Sequence, residues 1–132
     1  MTQKNVDVMD IIVSKMAEGE TLSKALKLVY TKRNVAIPYN EEIYDVAVTA
    51  LPMSHRTINT LMRGRIRTIG EVIEFCKLQK ITEVANFGRS SGIELFEAIL
   101  DYCWDHMSQK ERVSFLIDTV ERNGDNIRAE IA

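Results

Sequence analysis

The sequence predicts an all-α protein, a compact bundle with an additional helical N-terminal region and a C-terminal helix. Apolar residues recur at spacings of three and four along most of the 132 residues, which is the period of an amphipathic helix. Serine or threonine precedes several of these runs and glycine follows others, as at helix starts and stops. The alternation of apolar and polar residues that marks a half-buried strand is nearly absent.

Two helices are predicted in the first 33 residues. Residues 6–18 place their apolar side chains mostly on one helical face, and Glu18-Gly19-Glu20 ends the pattern. Thr21 is expected to cap a second helix that runs to about residue 33. Both helices have apolar faces that need a partner, so we expect them to be docked on the rest of the protein. These faces contain Val6, Val8, Met9, Ile12, Val13, Met16, Leu22, Ala25, Leu26, Leu28 and Val29.

The next segment has a different character. Residues 34–40 break the helical period, and Pro38 makes a central strand unfavourable, so an extended arm is predicted. Residues 41–50 return to a helical pattern. No Gly/Ser-rich linker separates them from the helix predicted after them. We expect a helical N-terminal region over residues 1–50 and a domain over residues 51–132.

Glycines punctuate the predicted domain. Helices are expected at about 53–63, 70–78 and 90–104, with a short turn at 80–85. A last helix, about 108–122, begins with the capping-box pair Ser108 and Glu111 and ends before Gly124. The residues expected mainly inside are Ile58, Leu61, Ile66, Ile69, Val72, Ile73, Val84, Ile93, Leu95, Phe96 and Ile99.

Composition sets limits on function. Hydrophobic residues make up 45% and charged residues 27% of the chain, as in ordinary globular proteins. No apolar run reaches the length of a bilayer span, and the first residues lack the apolar core of a signal peptide, so we expect a cytoplasmic protein without membrane contact. Cys76 and Cys103 lack a metal-binding spacing, which favours reduced, buried thiols.

The segment Leu51–Leu61 is the first of two candidate binding motifs. Ser54 is a predicted N-cap, and Arg56 and Asn59, three residues apart, share a helical face. Residues 46–70 contain four arginines and no acidic residue, a local charge of +4 in a chain whose net charge is −2. The net charge argues against a globally cationic nucleic-acid binder, whereas the uneven distribution is compatible with binding by one face, with weak affinity.

The segment Asn86–Glu94 is the second motif. Asn86-Phe87-Gly88 predicts a tight turn, and Ser90 or Ser91 is expected to cap the helix after it. The backbone N–H groups of such a turn and helix start form an anion site. A basic helix and a glycine-turned helix start, about 30 residues apart, suit a small module that grips a nucleic-acid backbone.

With Ile66–Val72 between them, these motifs resemble the C-terminal domain of the bacterial RNA polymerase α subunit, over about residues 46–103. The resemblance implies a helix-hairpin-helix bundle in a bacterial or phage protein that contacts DNA in transcription. The sequence departs from the family at three positions, because Ser90 replaces a lysine, Gly92 replaces an apolar residue and Thr60 replaces a cysteine. The DNA-binding residues that the resemblance implies are Arg56, Asn59, Thr60, Gly88, Arg89, Ser91 and Glu94.

We therefore expect a transcription-associated protein that contacts the DNA backbone and an A·T-rich minor groove, where arginine is favoured by the concentrated negative potential. The sequence has no phosphate loop, zinc spacing or activated nucleophile, so no enzyme, metal or cofactor is expected. The alternative is a module that binds RNA polymerase or a transcription factor without DNA contact, which the net charge and Ser90 favour. A homodimer through the helices of residues 6–33 is a third hypothesis.

Overall fold

A computed structural model describes residues 1–31 and 33–129 of the protein. Its described part is all-α, as predicted, and its β-structure consists of two isolated bridges. Lys32, inside the second predicted helix, and the last three residues of the predicted domain 51–132 lie outside the described residues. The α-helices of the described part are α1 (Gln3–Ala17), α2 (Leu22–Leu26), α3 (His55–Arg63), α4 (Ile69–Leu78), α5 (Arg89–Asp105) and α6 (Gln109–Arg122).

Capping side chains fix where most of these helices begin. A threonine or serine precedes α1, α2, α3, α4 and α6, and its oxygen accepts the N–H of the third helical residue. Such a cap satisfies one of the donors that a helix start leaves open. The exception is α5. It begins after Gly88 without a capping side chain, so the prediction that Ser90 or Ser91 caps this helix is wrong.

The central bundle follows the sequence closely. Helices α3, α4 and α5 and a 3₁₀ turn at Ile81–Glu83 lie at the predicted places. Helix α5 runs through the middle, with Leu95, Phe96, Ile99 and Leu100 fully buried. Of the residues expected inside, Ile58 and Ile93 are only partly buried and the others are buried. The helix-hairpin-helix bundle is thus confirmed, with an additional N-terminal region and α6 packed around it.

The second helix is shorter than predicted. It ends at Leu26, because Lys27 adopts a left-handed conformation (φ 52°). Leu28 then forms a bridge with Ile127 near the end of the protein. The N–H of Val29 donates to the carbonyl of Asn126 at 2.8 Å. Backbone groups that a longer helix would have satisfied locally are satisfied instead by a distant segment.

Asparagine side chains hold the predicted extended arm in place. Asn34 donates to the carbonyl of Gln79 at 2.8 Å and accepts from the N–H of Ile81 at 2.9 Å. Asn123, just after α6, makes bonds of 2.7 Å to both the N–H and the carbonyl of Ala36. These bonds replace the sheet or helix partners that an isolated extended segment lacks. The arm therefore lies between the ends of α4 and α6.

The helix predicted over residues 41–50 does not form. The backbone makes two 3₁₀ turns there, Glu41–Ile43 and Val48–Ala50. The N–H of Val48 donates to Arg67 and the carbonyl of Tyr44 accepts from Gly70, at 2.9 and 3.0 Å. Bonding to the segment before α4 and to its first turn thus replaces bonding within a helix.

The N-terminal helices are docked on the bundle. Helix α1 packs against α2 and α6, and α2 packs against α5. Ile12 of α1 and Leu26 of α2 are fully buried. The carboxylate of Asp101 on α5 accepts from the N–H and hydroxyl of Ser23, at 2.9 and 2.6 Å. Much of the apolar surface that motivated the homodimer hypothesis is therefore covered within one molecule.

Candidate nucleic-acid interface

The start of α3 presents the first candidate residues. Ser54 is the N-cap and accepts the N–H of Thr57. Arg56 and Asn59, on one face of the helix, are both exposed. Ion pairs in the described part of the protein join Lys77 to Glu74 and an arginine to Asp125, and none involves Arg56. The Arg56 guanidinium is therefore open to solvent.

Thr60, a predicted DNA contact, faces inward. Its side chain is buried, and its hydroxyl donates to the carbonyl of Arg56 at 2.7 Å. A hydroxyl bonded to the preceding turn of its own helix is already satisfied. The structure therefore assigns Thr60 to the interior of the bundle, and it is not one of the residues offered to a surface ligand.

Gly88 is the N-cap residue of α5 and is exposed. Its φ is −92°, which any residue can adopt, and a Cβ at this position would meet no atom within 4 Å. Neither the backbone nor the packing of the protein therefore requires glycine here. What glycine does provide is close access to the uncapped N–H groups of the first turn, which favour an anion.

A tight turn precedes Gly88, but it spans residues 84–87 and so lies earlier than the predicted turn Asn86-Phe87-Gly88. Asn86 takes the left-handed conformation (φ 65°) that asparagine tolerates. The N–H of Phe87 donates to Val84 at 3.0 Å, and the Phe87 side chain is buried. The turn is thus anchored in the core while Gly88 and Arg89 after it stay exposed. Ser91 is half-buried.

Glu94 joins the two motifs. Its carboxylate accepts from the N–H of Ser54, and from the Ser54 hydroxyl at 3.3 Å. Ser54 precedes Arg56 by two residues, and Glu94 follows Ser91 by three, one turn along α5. The start of α3 is therefore held beside the second turn of α5. Glu94 itself is occupied by this contact and is half-buried.

Lys80 and Tyr30 belong to the surroundings of this site, although sequence reasoning did not select them. With Thr82, Gly88 and Arg89 they line a shallow pocket at the start of α5. Lys80 lies directly before the 3₁₀ turn at Ile81–Glu83. No motif signals their position here, because Tyr30 comes from the N-terminal region and lines the same pocket as Lys80 only through the fold.

The two cysteines do not take part in this surface. Both are free thiols, and burial raises the pKa of Cys76 and of Cys103 to about 12. Both thiols therefore stay protonated and unreactive at neutral pH. Among the described residues, no group of three His, Cys, Asp or Glu could hold a metal ion, and no helix is long and apolar enough to cross a membrane.

Comparison with known proteins gives one consistent result. The family model for the C-terminal domain of the bacterial RNA polymerase alpha chain matches residues 36–101, half of the sequence. The DNA-directed RNA polymerase subunit alpha of Gracilaria tenuistipitata is 34% identical over 61 residues, which are 46% of this chain and 19% of that protein. The corresponding subunit of Mesostigma viride is 28% identical over 93 residues, 70% of this chain and 29% of the relative.

The chain therefore spans less than a third of the length of these relatives. The subunit alpha of Thermosynechococcus vestitus is 27% identical over 70 residues, which are 53% of this chain and 22% of that protein. No solved structure gives a significant match. Both candidate motifs, around Arg56 and around Gly88, lie inside the part that the family model matches.

Proposed function

The protein belongs to the family of the C-terminal domain of the bacterial RNA polymerase alpha chain, and from that membership we propose that it is a non-catalytic, transcription-associated protein that binds DNA. Arg56 enters an A·T-rich minor groove, where the narrow walls concentrate negative potential. Asn59 lies beside it on the same exposed face. Gly88, Arg89 and Ser91 contact the phosphate backbone next to this groove.

The contact between Glu94 and Ser54 is the observation that carries this proposal. One duplex can touch Arg56 and the start of α5 only if both lie on the same surface. From the second turn of α5, Glu94 accepts from the N-cap residue of α3 and so holds the start of α3 beside the N-terminal half of α5. Glu94 thus acts by positioning, and Thr60, which is buried, takes no part in the proposed contact.

The proposed binding reads DNA shape more than base sequence. Phosphate contacts set the register of a protein on the duplex, and a groove-inserted arginine responds to groove width. The exposed cations in the two motifs are few, and Ser90 supplies no charge. We therefore expect modest affinity that falls steeply with salt.

Fluorescence anisotropy with labelled duplexes, one A·T-rich and one G·C-rich, tests the proposal. Arg56→Ala should weaken binding to the A·T-rich duplex by about 1–3 kcal/mol and reduce the preference for it. Arg89→Ala should weaken binding to both duplexes more evenly, because phosphate contacts carry no base information. Arg122→Ala, which removes an exposed arginine from the end of α6, is the matched control and should bind as the wild type does.

The alternative is a module of the same fold that binds RNA polymerase or a transcription factor without DNA. The net charge of −2 and Ser90 in place of a lysine favour it. If Arg56→Ala and Arg89→Ala bind duplex as the wild type does, while the protein still retains RNA polymerase in a pull-down, this alternative replaces the DNA proposal.

A further inference from the structure

A pocket beside the start of α5 combines two cationic residues with an aromatic ring. It is lined by Tyr30, Lys80, Thr82, Gly88 and Arg89. Tyr30 lies outside residues 36–101, the part that the family model matches. A residue of the N-terminal region thus reaches the proposed phosphate-contacting surface.

Tyr30 is held in place by Thr82 and the core, and its ring lies near the Arg89 guanidinium. Its hydroxyl lies 3.0 Å from the hydroxyl of Thr82, and its partly buried ring packs against the core. The Arg89 guanidinium lies 6.0 Å from the centre of this ring, which is within reach of a cation–π attraction. A long arginine side chain on a surface otherwise samples many rotamers. The ring therefore favours Arg89 positions next to the pocket.

Lys80 brings a second positive charge to the same place. Its backbone N–H donates to the carboxylate of Glu83 at 3.0 Å, which fixes the main chain at this point. The side chain is exposed, and the ion pairs of the described residues do not include it. Lys80 therefore adds a positive charge to a surface where Ser90 supplies none.

We propose that Lys80 and Tyr30 complete the phosphate-binding part of the interface. The pocket takes one phosphodiester group of the DNA backbone, which Lys80 and Arg89 neutralise from two sides while Tyr30 positions Arg89. The inference rests on the proposed function and extends it with two residues that the family motifs do not contain. A phosphate group suits this pocket because a lysine and an arginine, Lys80 and Arg89, both line it.

The salt dependence of duplex binding tests the part played by Lys80. Each neutralised phosphate contributes about −0.9 to the slope of log K against log salt concentration. Lys80→Gln should therefore make the slope shallower by about one unit, on A·T-rich and G·C-rich duplexes alike. Lys110→Gln, which removes an exposed lysine from the start of α6, should leave the slope unchanged. A wild-type slope for Lys80→Gln would overturn the proposal.

A double-mutant cycle tests the positioning role of Tyr30. Tyr30→Leu should weaken duplex binding in the wild-type background and have no further effect in the Arg89→Ala background, because its effect passes through Arg89. Thermal melts of all four proteins identify any loss from unfolding. Equal weakening in both backgrounds would contradict positioning. Absence of duplex binding by the wild type would instead remove the proposed function and this inference together.

Discussion

At the scale of single residues, Glu97 is a carboxylate whose surroundings disfavour its charged form. It lies partly buried on α5, between Glu94 and Asp101. Burial raises the pKa of this carboxyl, and the neighbouring charges of Asp101 and Glu94 raise it further, while Lys24 lowers it. Because the folded-state pKa exceeds the unfolded value, the charged form of Glu97 destabilises the folded protein at neutral pH.

We therefore predict that Glu97→Gln raises the free energy of unfolding at pH 7. The increase in unfolding free energy should be largest above the raised folded-state pKa of Glu97. It should disappear as pH falls below the ordinary pKa of 4.5, because Glu97 is then uncharged in both the folded and the unfolded protein. Urea unfolding at several pH values measures this difference. Glu121→Gln, an exposed site on α6, is the control. A gain from Glu97→Gln that persists in acid would show that charge is not the cause.

The exposure of single residues follows from the sequence only where one helix decides it. Arg56 and Asn59 are predicted on a shared exposed face, and the structure has both exposed. Thr60 comes directly after Asn59 in the sequence, yet its side chain is buried. Its small polar side chain adds nothing to the apolar pattern of the sequence. Only the packing of neighbouring helices determines whether that side chain is buried or exposed. Lys80 and Tyr30 are missed for the same reason, since tertiary packing brings them together.

At the scale of elements, the start of α4 depends on a close approach. Gly70 lies in the first turn of α4 and donates its N–H to the carbonyl of Tyr44 at 3.0 Å. A Cβ added at Gly70 would overlap the Tyr44 ring and lie 2.8 Å from the Tyr44 carbonyl oxygen. The segment before α3 therefore packs on α4 at a position that only glycine allows.

Gly70→Ala should consequently destabilise the protein by about 1–3 kcal/mol, as other overpacked sites do, although alanine is otherwise the better helix former. The midpoint of urea unfolding measures this loss of stability, provided that the dependence of the unfolding free energy on urea concentration stays unchanged. Gly124→Ala is the control, because a Cβ there meets nothing within 4 Å. If both variants unfold at the same midpoint, the close approach at Gly70 is not a stability determinant.

Element prediction succeeds where local signals suffice. Helices α3, α4, α5 and α6 carry their own apolar period, and Ser54 and Ser108 cap two of them as predicted. The segments after Lys27 and around residues 41–50 show a helical pattern of apolar residues, yet both use backbone partners far away in the sequence. Local pattern cannot reveal such partners, and tertiary bonding overrides helix propensity there.

At the scale of the whole molecule, buried side chains form one cluster that runs through both parts of the sequence. Ile12 of α1, Phe96 of α5 and Ile127 near the end of the described residues all belong to it. The division of the protein into residues 1–50 and 51–132 remains a proposal about sequence units. A shared core gives neither unit a separate set of buried residues, so we expect the two to unfold together.

Our last prediction tests this cooperativity through α1. Ile12 is fully buried, so Ile12→Ala should lower the free energy of unfolding by about 2–5 kcal/mol. Far-UV circular dichroism follows all helices, whereas fluorescence follows the single tryptophan, Trp104, on α5 and near Phe115 of α6. Because one core links α1 to these helices, the substitution should move both transitions by the same amount.

The neighbouring residue supplies the control for this experiment. Val13 is 54% exposed, so Val13→Ala should change the free energy of unfolding by no more than about 0.5 kcal/mol. Separate transitions would contradict a shared core: Ile12→Ala would then shift an early loss of circular dichroism and leave the fluorescence midpoint in place. Coincident shifts would mean that α1 stabilises the same folded unit that carries Arg56 and Gly88. A destabilising substitution in α1, far from the proposed interface, would then weaken DNA binding by unfolding that unit.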